Sequence, residues 1–224
     1  MAIDNSPRTR QANKIARKQG GRKRAERLLI ICEGEQTEPL YFNEIRKKHR
    51  LSTSTVTIGN NPNGTCPKQL TEYAIKLFQE GDTHKGVGKK TFDKVFVVFD
   101  RDEHLKYNEA LDIFDSNKVK LKNDERKKVL FIPVTSIPCF ELWLLLHFKD
   151  VNSPIHRDEA YKQLCIELPG YSKVNPDTYA RTIRYVETAY ARAEKLCLVN
   201  SPRTCPEPYT SVHKLVSLLT TLHL

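Results

Sequence analysis

Residues 95–104 read VFVVFDRDEH, and this stretch decides the fold. Five consecutive apolar residues predict a strand that is buried on both faces, as in the middle of a parallel sheet. The run then passes directly into three acidic residues, Asp100, Asp102 and Glu103. Because a buried strand excludes charge, we expect the strand to end at Asp100 and the acids to lie at the edge of the sheet.

The segments on either side of this strand alternate between two patterns. Short apolar or β-branched runs predict strands, and apolar residues at spacings of three and four predict helices. The predicted strands are 28–32, 55–59, 94–100 and 128–135, and the predicted helices between them are 37–50, with Thr37 as its N-cap, 66–81 and 104–117. This alternation predicts an α/β fold with right-handed crossovers and a mostly parallel four-stranded sheet flanked by helices.

The last third of the chain has a different character. Helical periodicity is found at 138–148, 157–168, 178–198 and 211–222, with no convincing strand among these segments. The sequence therefore predicts three parts: a basic arm at 1–27, an α/β core at 28–137, and a helical extension at 138–224 that packs on the core.

The positive charge of the chain is concentrated in the arm. The 224 residues carry a formal charge of +10, and residues 1–27 contain nine Lys and Arg against Asp4 and Glu26, a net charge of +7. With two adjacent glycines and few large apolar residues, this segment is predicted to be disordered when free. It is either a solubilising arm or a nucleic-acid arm that neutralises phosphates, with Arg22, Lys23 and Arg24 as candidate contacts.

Several classes of protein are excluded by what the sequence lacks. No apolar run approaches 18 residues, so no membrane span is predicted, and no apolar segment of a secretory signal follows the basic residues. The six cysteines form no C-x-x-C pair and no His lies at zinc-finger spacing, which argues against a structural zinc. We expect reduced thiols in a cytoplasmic protein.

Carboxylates follow two of the predicted strands. Glu33 and Glu35 come directly after the first strand, and Asp100 and Asp102 follow the third. In an open parallel sheet, reacting groups gather at the carboxyl ends of the strands, so these acids meet if the two strands are neighbours. Oxygen ligands favour Mg²⁺ or Mn²⁺ over zinc, and such an ion supports phosphoryl chemistry. The ordinary alternative is that loops are polar and that acids after strands cap helices.

These residues also carry a resemblance to a known domain. The pair LLIICEGE (28–35) and VFVVFDRDE (95–103) is similar to the Toprim pattern, in which one strand ends in Glu-Gly and a later strand ends in Asp-x-Asp. More narrowly, the blocks EGEQTEPLYF (33–42), SIPCFELWLLLHF (136–148) and YTSVHKLVSLL (209–219) resemble the RloB-like family, also called AbiLii-like. The resemblance covers roughly residues 28–219 and leaves the basic arm outside.

The resemblance implies a Toprim-like fold and a metal-dependent nuclease of a prokaryotic antiphage defence system. Related Toprim effectors cut DNA or RNA, some of them tRNA, to abort infection, often beside an ATPase partner of the ABC or AAA type. Carried over, Glu33 is the acid/base and metal-adjacent carboxylate, Asp100 and Asp102 bind Mg²⁺ or Mn²⁺, and Glu141 supplies a further carboxylate.

Other readings of the chain stay open at this point. It is alternatively a non-catalytic Toprim-fold adaptor or nucleic-acid-binding subunit of the same defence complex. A phosphatase or receiver domain also uses Mg²⁺ at carboxylates, although the haloacid-dehalogenase pattern places Asp-x-Asp after the first strand rather than the third. The choice of DNA or RNA and the formation of a homo-oligomer are likewise left open.

Individual residues also have two readings each. Glu38 either approaches the acidic site or favours the positive end of a helix dipole. Glu141 interrupts an apolar helix, so it either joins the metal site or pairs with a Lys or Arg. Arg181 and Arg184 lie opposite the apolar stripe of the predicted helix 178–198, where they form either a solvated face or a stripe that binds nucleic-acid phosphates.

Overall fold

A computed structural model of the protein describes residues 25–60, 66–117 and 121–222. The strands in these ranges are β1 (Leu28–Cys32), β2 (Val56–Asn60), β3 (Lys94–Asp100), β4 (Leu130–Ile137) and β5 (Tyr209–Thr210). The helices are α1 (Thr37–Lys48), α2 (Pro67–Glu80), α3 (Tyr107–Asn117), α4 (Glu141–Leu145), α5 (Arg157–Glu167), α6 (Thr178–Thr182), α7 (Val186–Val199) and α8 (Val212–Thr221), with a 3-10 turn at Ile183–Tyr185.

The sheet has the order β2-β1-β3-β4-β5. The first three neighbouring pairs are parallel and β4 with β5 is antiparallel. The predicted α/β fold with a mostly parallel sheet flanked by helices is confirmed, but the count of four strands is wrong. The fifth strand is only Tyr209–Thr210, too short to produce an alternating pattern, and it exists because it pairs with the end of β4.

Both faces of the sheet are covered, which explains the unbroken apolar runs of β1 and β3. Alternate residues of β1 point to opposite faces. Leu28, Ile30 and Cys32 pack in a core with α1 and the helices of the extension, whereas Leu29 and Ile31 pack in a second core with α2 and α3. The central strands are therefore fixed from both sides, and so are the residues at their ends.

The helical extension shares one of these cores. Trp143 of α4 is fully buried, and its Nε1 donates to the Tyr41 hydroxyl of α1 at 3.0 Å. The two Glu44 carboxylate oxygens of α1 accept from the amides of Tyr179 and Ala180 at 2.7 and 2.8 Å. Because those amides belong to the first turn of α6, α1 fixes the position at which this helix begins.

Two helix predictions are corrected. The single helix predicted at 178–198 is divided into α6, the 3-10 turn and α7. At the break, the Thr182 hydroxyl donates to the carbonyls of Thr178 and Tyr179, a bond of the kind that bends helices. Thr37 is not the N-cap of α1, because the cap position is Gln36 and the Thr37 hydroxyl donates to the Lys173 carbonyl at 3.3 Å.

Most of the predicted arm, with Arg22, Lys23 and Arg24, lies outside the described residues, so its contact with nucleic acid stays a prediction. The last residues of that segment contact the domain: Arg27 donates to both carboxylate oxygens of Asp124, and Glu26 pairs with Lys94. In the described ranges, none of the helices combines the length and the apolar character needed to cross a membrane.

Candidate active site

The ends of β1 and β3 lie side by side because the two strands are parallel neighbours in the sheet. Glu33 follows β1 directly, and its amide donates to the Val98 carbonyl at 2.9 Å. Asp100 is the last residue of β3, and its amide donates to Glu33 Oε2 at 3.0 Å. The structure thus brings the acid of the Glu-Gly pair against the first acid of Asp-x-Asp.

The turn after β3 places the second acid of Asp-x-Asp at the same edge. The Arg101 amide donates to the Ser136 carbonyl at 2.8 Å, and the Asp102 amide donates to the Pro138 carbonyl at 3.0 Å. Asp102 has a φ of +37°, a left-handed conformation that Asp tolerates better than most residues. Arg101 packs over the ring of Tyr107, 5.3 Å from its centroid, which leaves Asp102 to face the cleft.

A third segment, at the end of β4, supplies Glu141. The Phe140 amide, just before α4, donates to Asp100 Oδ2 at 3.0 Å, which ties this segment to β3. Glu141 is buried, and its Oε1 lies 3.1 Å from the Lys173 ammonium and 3.4 Å from the Tyr171 hydroxyl, which donates to it. The pairing of Glu141 with a lysine is confirmed, and its place in a metal site stays a prediction, although it lines the acidic cleft.

Glu38 adds a further buried acid to the cleft from the first turn of α1. Its carboxylate lies against Gly34, where an added Cβ would be only 2.2 Å from Glu38 Oε2. Glycine after Glu33 therefore leaves room for the Glu38 carboxylate, which a side chain at this position would displace. Glu38 satisfies both readings, because it lies in the first turn of α1 and approaches the other acids.

These side chains line one open cavity of about 640 Å³. The acids at its wall come from the segment after β1, the end of β3 and the turn after it, α1 and α4: Glu33, Glu35, Glu38, Asp100, Asp102 and Glu141. Among the lining residues, the arginine is Arg157 and the lysine is Lys173. Arg157 Nη1 contacts Asp102 Oδ2. The acids outnumber these cations by three to one.

Burial and mutual repulsion shift the titration of the acids. Burial raises the pKa of Glu33 from 4.5 to about 8; the Asp100 amide opposes this shift, whereas Glu38 and Asp102 add to it. Burial, with repulsion from Glu141, raises the pKa of Glu38 to about 7. The pKa of Asp100 is also raised, first by burial and then by Glu38 and Glu33. The cleft therefore retains protons near neutral pH unless another cation neutralises it.

The donor set suits a hard divalent cation. The lining acids offer oxygen ligands only, which favours Mg²⁺ or Mn²⁺, and six of them surround two lysine and arginine side chains. Within the described ranges, no three His, Cys, Asp or Glu side chains are yet arranged as a ready ligand set. Several oxygens instead accept from backbone amides or contact Arg157 and Lys173. The ligand atoms of the cleft therefore suit Mg²⁺ or Mn²⁺, but in this structure several of them are engaged by protein groups.

Arg181 and Arg184 are not brought to this cleft. They line a second cavity with Phe148, on the helical extension. Arg181 Nη2 donates to the Pro169 carbonyl at 2.5 Å, and the Arg184 guanidinium packs 4.7 Å from the centroid of the Tyr185 ring. Their contact with nucleic acid stays a prediction and is separate from the acidic cluster.

Three basic side chains of the cleft, His104, Arg157 and Lys173, lie outside the predicted set of site residues. From sequence, His104 either contacts phosphate or starts a helix; in the structure its Nε2 lies 3.0 Å from Glu33 Oε1. Its position two residues after Asp102 was the sequence signal that could have placed His104 in the cleft. Arg157 and Lys173 carry no such signal, because they are common residue types far along the chain from the acids and are placed by the packing of the extension.

Comparison with known proteins gives one family match. The family model described as RloB-like protein matches residues 28–219, which is most of the chain and includes every acid of the cleft. No curated protein and no solved structure matches the chain.

Proposed function

The chain belongs to the RloB-like protein family, and we propose that it is a metal-dependent nuclease that hydrolyses phosphodiester bonds in RNA, such as tRNA, or in DNA. The observation that carries this proposal is the direct contact between the Glu33 carboxylate and the end of β3, where Asp100 and Asp102 lie. Two strand ends supply acids to one cleft, and such a cluster of carboxylates can hold a hard cation for phosphoryl chemistry.

The proposal assigns separate roles to the acids. Asp100 and Asp102, with Glu33 and Glu141 beside them, would hold Mg²⁺ or Mn²⁺. When bound, such an ion polarises a phosphoryl oxygen and lowers the pKa of a water molecule. In the cleft without a metal ion, burial raises the pKa of Glu33 to about 8, and a nearby divalent cation would lower it toward the range in which a general acid or base works. The Asp100 amide and His104 hold its two carboxylate oxygens in place.

The wider biological role is part of the same proposal. We infer an effector of an antiphage abortive-infection system that acts in the cytoplasm with an ABC- or AAA-type ATPase partner. Its support is the likeness of the sequence blocks at 33–42, 136–148 and 209–219 to the RloB-like family.

Cleavage by the purified full chain tests the activity. The protein is incubated with Mg²⁺ or Mn²⁺ and with tRNA, single-stranded RNA or plasmid DNA, and the products are separated on denaturing gels. We expect Glu33→Gln and Asp100→Asn to lose cleavage by at least about 100-fold, since both remove groups of the reacting centre. Asp112→Asn is the matched control, because Asp112 is an exposed acid of α3 outside the cleft.

Cleavage by Glu33→Gln at the wild-type rate would show that the assigned site is wrong. If the isolated chain cuts nothing, the same variants are compared in cells that also express the genes found next to its own, and RNA and DNA ends are sequenced. Ends that depend on Glu33 support a nuclease that needs its partner. Defence that survives both substitutions without new ends supports the non-catalytic adaptor instead.

A further inference from the structure

We propose that Arg157 and Lys173 bind the phosphodiester backbone of the nucleic acid in the acidic cleft. Without substrate, Arg157 is held by Asp102 and Lys173 by Glu141. This inference rests on the proposed nuclease function and names the residues that let an acid-lined cleft accept a polyanion. A cleft with many carboxylates repels phosphates unless fixed cations lie beside them.

The two cations are presented from separate segments of the helical extension. Arg157 is the first residue of α5, and Lys173 lies in the connection between α5 and α6. The backbone at Lys173 is fixed, because its carbonyl accepts from the Thr37 hydroxyl at 3.3 Å. Beside it, the Ser172 hydroxyl donates to Asn175 Oδ1 at 2.7 Å, which closes the loop on itself. The ammonium group therefore starts from a defined position at the cleft.

Exposure distinguishes these cations from charges that only neutralise buried acids. The side chain of Glu141 is 3% exposed and that of Asp102 is 19% exposed, whereas Lys173 is 50% and Arg157 43% exposed. Both cations thus lie between the acids and solvent, where a backbone phosphate would approach. Because Glu141 and Asp102 are largely buried, they need another positive charge when Lys173 and Arg157 leave them.

A divalent cation at the acids would favour that change of partner. It would compete with Arg157 for Asp102 and with Lys173 for Glu141, and it would repel both positive groups. The planar guanidinium of Arg157 suits two-point binding of a phosphate, and the Lys173 ammonium acts as a point charge. The cavity of about 640 Å³ has room for a backbone segment beside them.

Binding of a fluorescently labelled single-stranded RNA by the full chain tests this inference. Ca²⁺ replaces Mg²⁺ as an oxygen-ligated cation of flexible geometry, and gels establish that the RNA stays intact. We expect Arg157→Gln and Lys173→Gln each to raise Kd about 10-fold, as for the loss of one charged hydrogen bond. Each should also lower the slope of log Kd against log salt concentration by about 0.7.

The chain offers matched controls for both changes. Arg203→Gln removes an arginine that is also 43% exposed and paired with aspartates, and Lys68→Gln removes a lysine paired with Glu109. We expect both to bind as the wild type does. Arg157→Lys retains the charge, so it should restore the salt slope but only part of the affinity. Circular dichroism spectra establish whether each variant is folded. If Arg157→Gln is not folded, Arg157→Lys is used in its place.

The outcomes separate this inference from the proposed activity. Unchanged binding in Arg157→Gln and Lys173→Gln, or an equal loss in Arg203→Gln, would overturn it even if Glu33 proves essential for cleavage. No binding by the wild type would also overturn it. Conversely, the protein could bind RNA through Arg157 and Lys173 and yet never cut it. That result would support the phosphate contacts and rule out the proposed nuclease activity.

Discussion

Replacement of Glu33 by Gln is predicted to stabilise the metal-free protein, and to do so increasingly as the pH rises. The folded wild type keeps a proton on Glu33 up to a pKa of about 8, whereas the unfolded chain loses it near 4.5. Below the unfolded value both states are protonated and the burial of this group costs little. As the pH rises from about 4.5 to 8, the folded state must either hold the proton or bury a charge, so the wild type loses stability.

The size of the effect follows from the shift. Each pKa unit corresponds to about 1.4 kcal/mol, so a pKa raised from 4.5 to about 8 costs the folded wild type about 4 kcal/mol at pH 8 and about 1 kcal/mol at pH 5. The stability advantage of Glu33→Gln should therefore grow by about 3 kcal/mol between these two pH values. Glu38 and Asp100 are repelled by Glu33, so its removal relieves them in the same direction.

Urea unfolding in EDTA at a series of pH values from 5 to 8 measures this difference, with the wild type and variant compared at each pH. Glu35→Gln is the matched control, since Glu35 is an exposed acid two residues further along, and its effect should stay within about 0.5 kcal/mol at every pH. An advantage of Glu33→Gln that does not change with pH, or that shrinks as the pH rises, would refute the reasoning from burial.

Further predictions concern the cation, one glycine and one tryptophan. Mg²⁺ or Mn²⁺ should raise the melting temperature of the wild type more at pH 8 than at pH 5, because protons compete for the acids, and equal shifts at both pH values would argue against these ligands. Gly34→Ala should cost about 1–3 kcal/mol in urea unfolding, since its Cβ meets the Glu38 carboxylate, whereas Gly59→Ala, with its nearest contact at 3.5 Å, should cost less; equal costs would contradict the close approach. Trp143→Phe should cost about 1–3 kcal/mol, because it leaves the buried Tyr41 hydroxyl without its donor, and an unchanged urea midpoint would show that this bond contributes nothing.

The elements that sequence predicted well are those with local signals. The strand at 94–100 was placed with its observed bounds, because a buried strand in a parallel sheet has an unbroken apolar run that ends where charge begins. The meeting of Glu33 with Asp100 followed from the carboxyl-end rule once the two strands were taken as neighbours.

The features that sequence missed depend on distant contacts. The pairing of Tyr209–Thr210 with β4 is made across more than 70 residues and leaves no periodic pattern. The helix predicted at 178–198 has suitable residues throughout, yet Glu44 sets where α6 begins and Thr182 bonds back at its end. Arg157 and Lys173 reach the cleft only because the extension packs against the sheet.

The hydrogen bond from the Asp100 amide to the Glu33 carboxylate depends on the pairing of two strands and not on the length of the loops between them. The two acids are positioned by neighbouring strands, whose spacing of about 4.8 Å is a property of the sheet and not of any loop. The chain between the two acids includes the connection at 81–93. This connection affects their separation only if it changes the pairing of β1 with β3. That connection enters β3 at Lys94, at the edge of the sheet opposite the acids, so insertions or deletions in it would leave the separation of Glu33 and Asp100 unchanged.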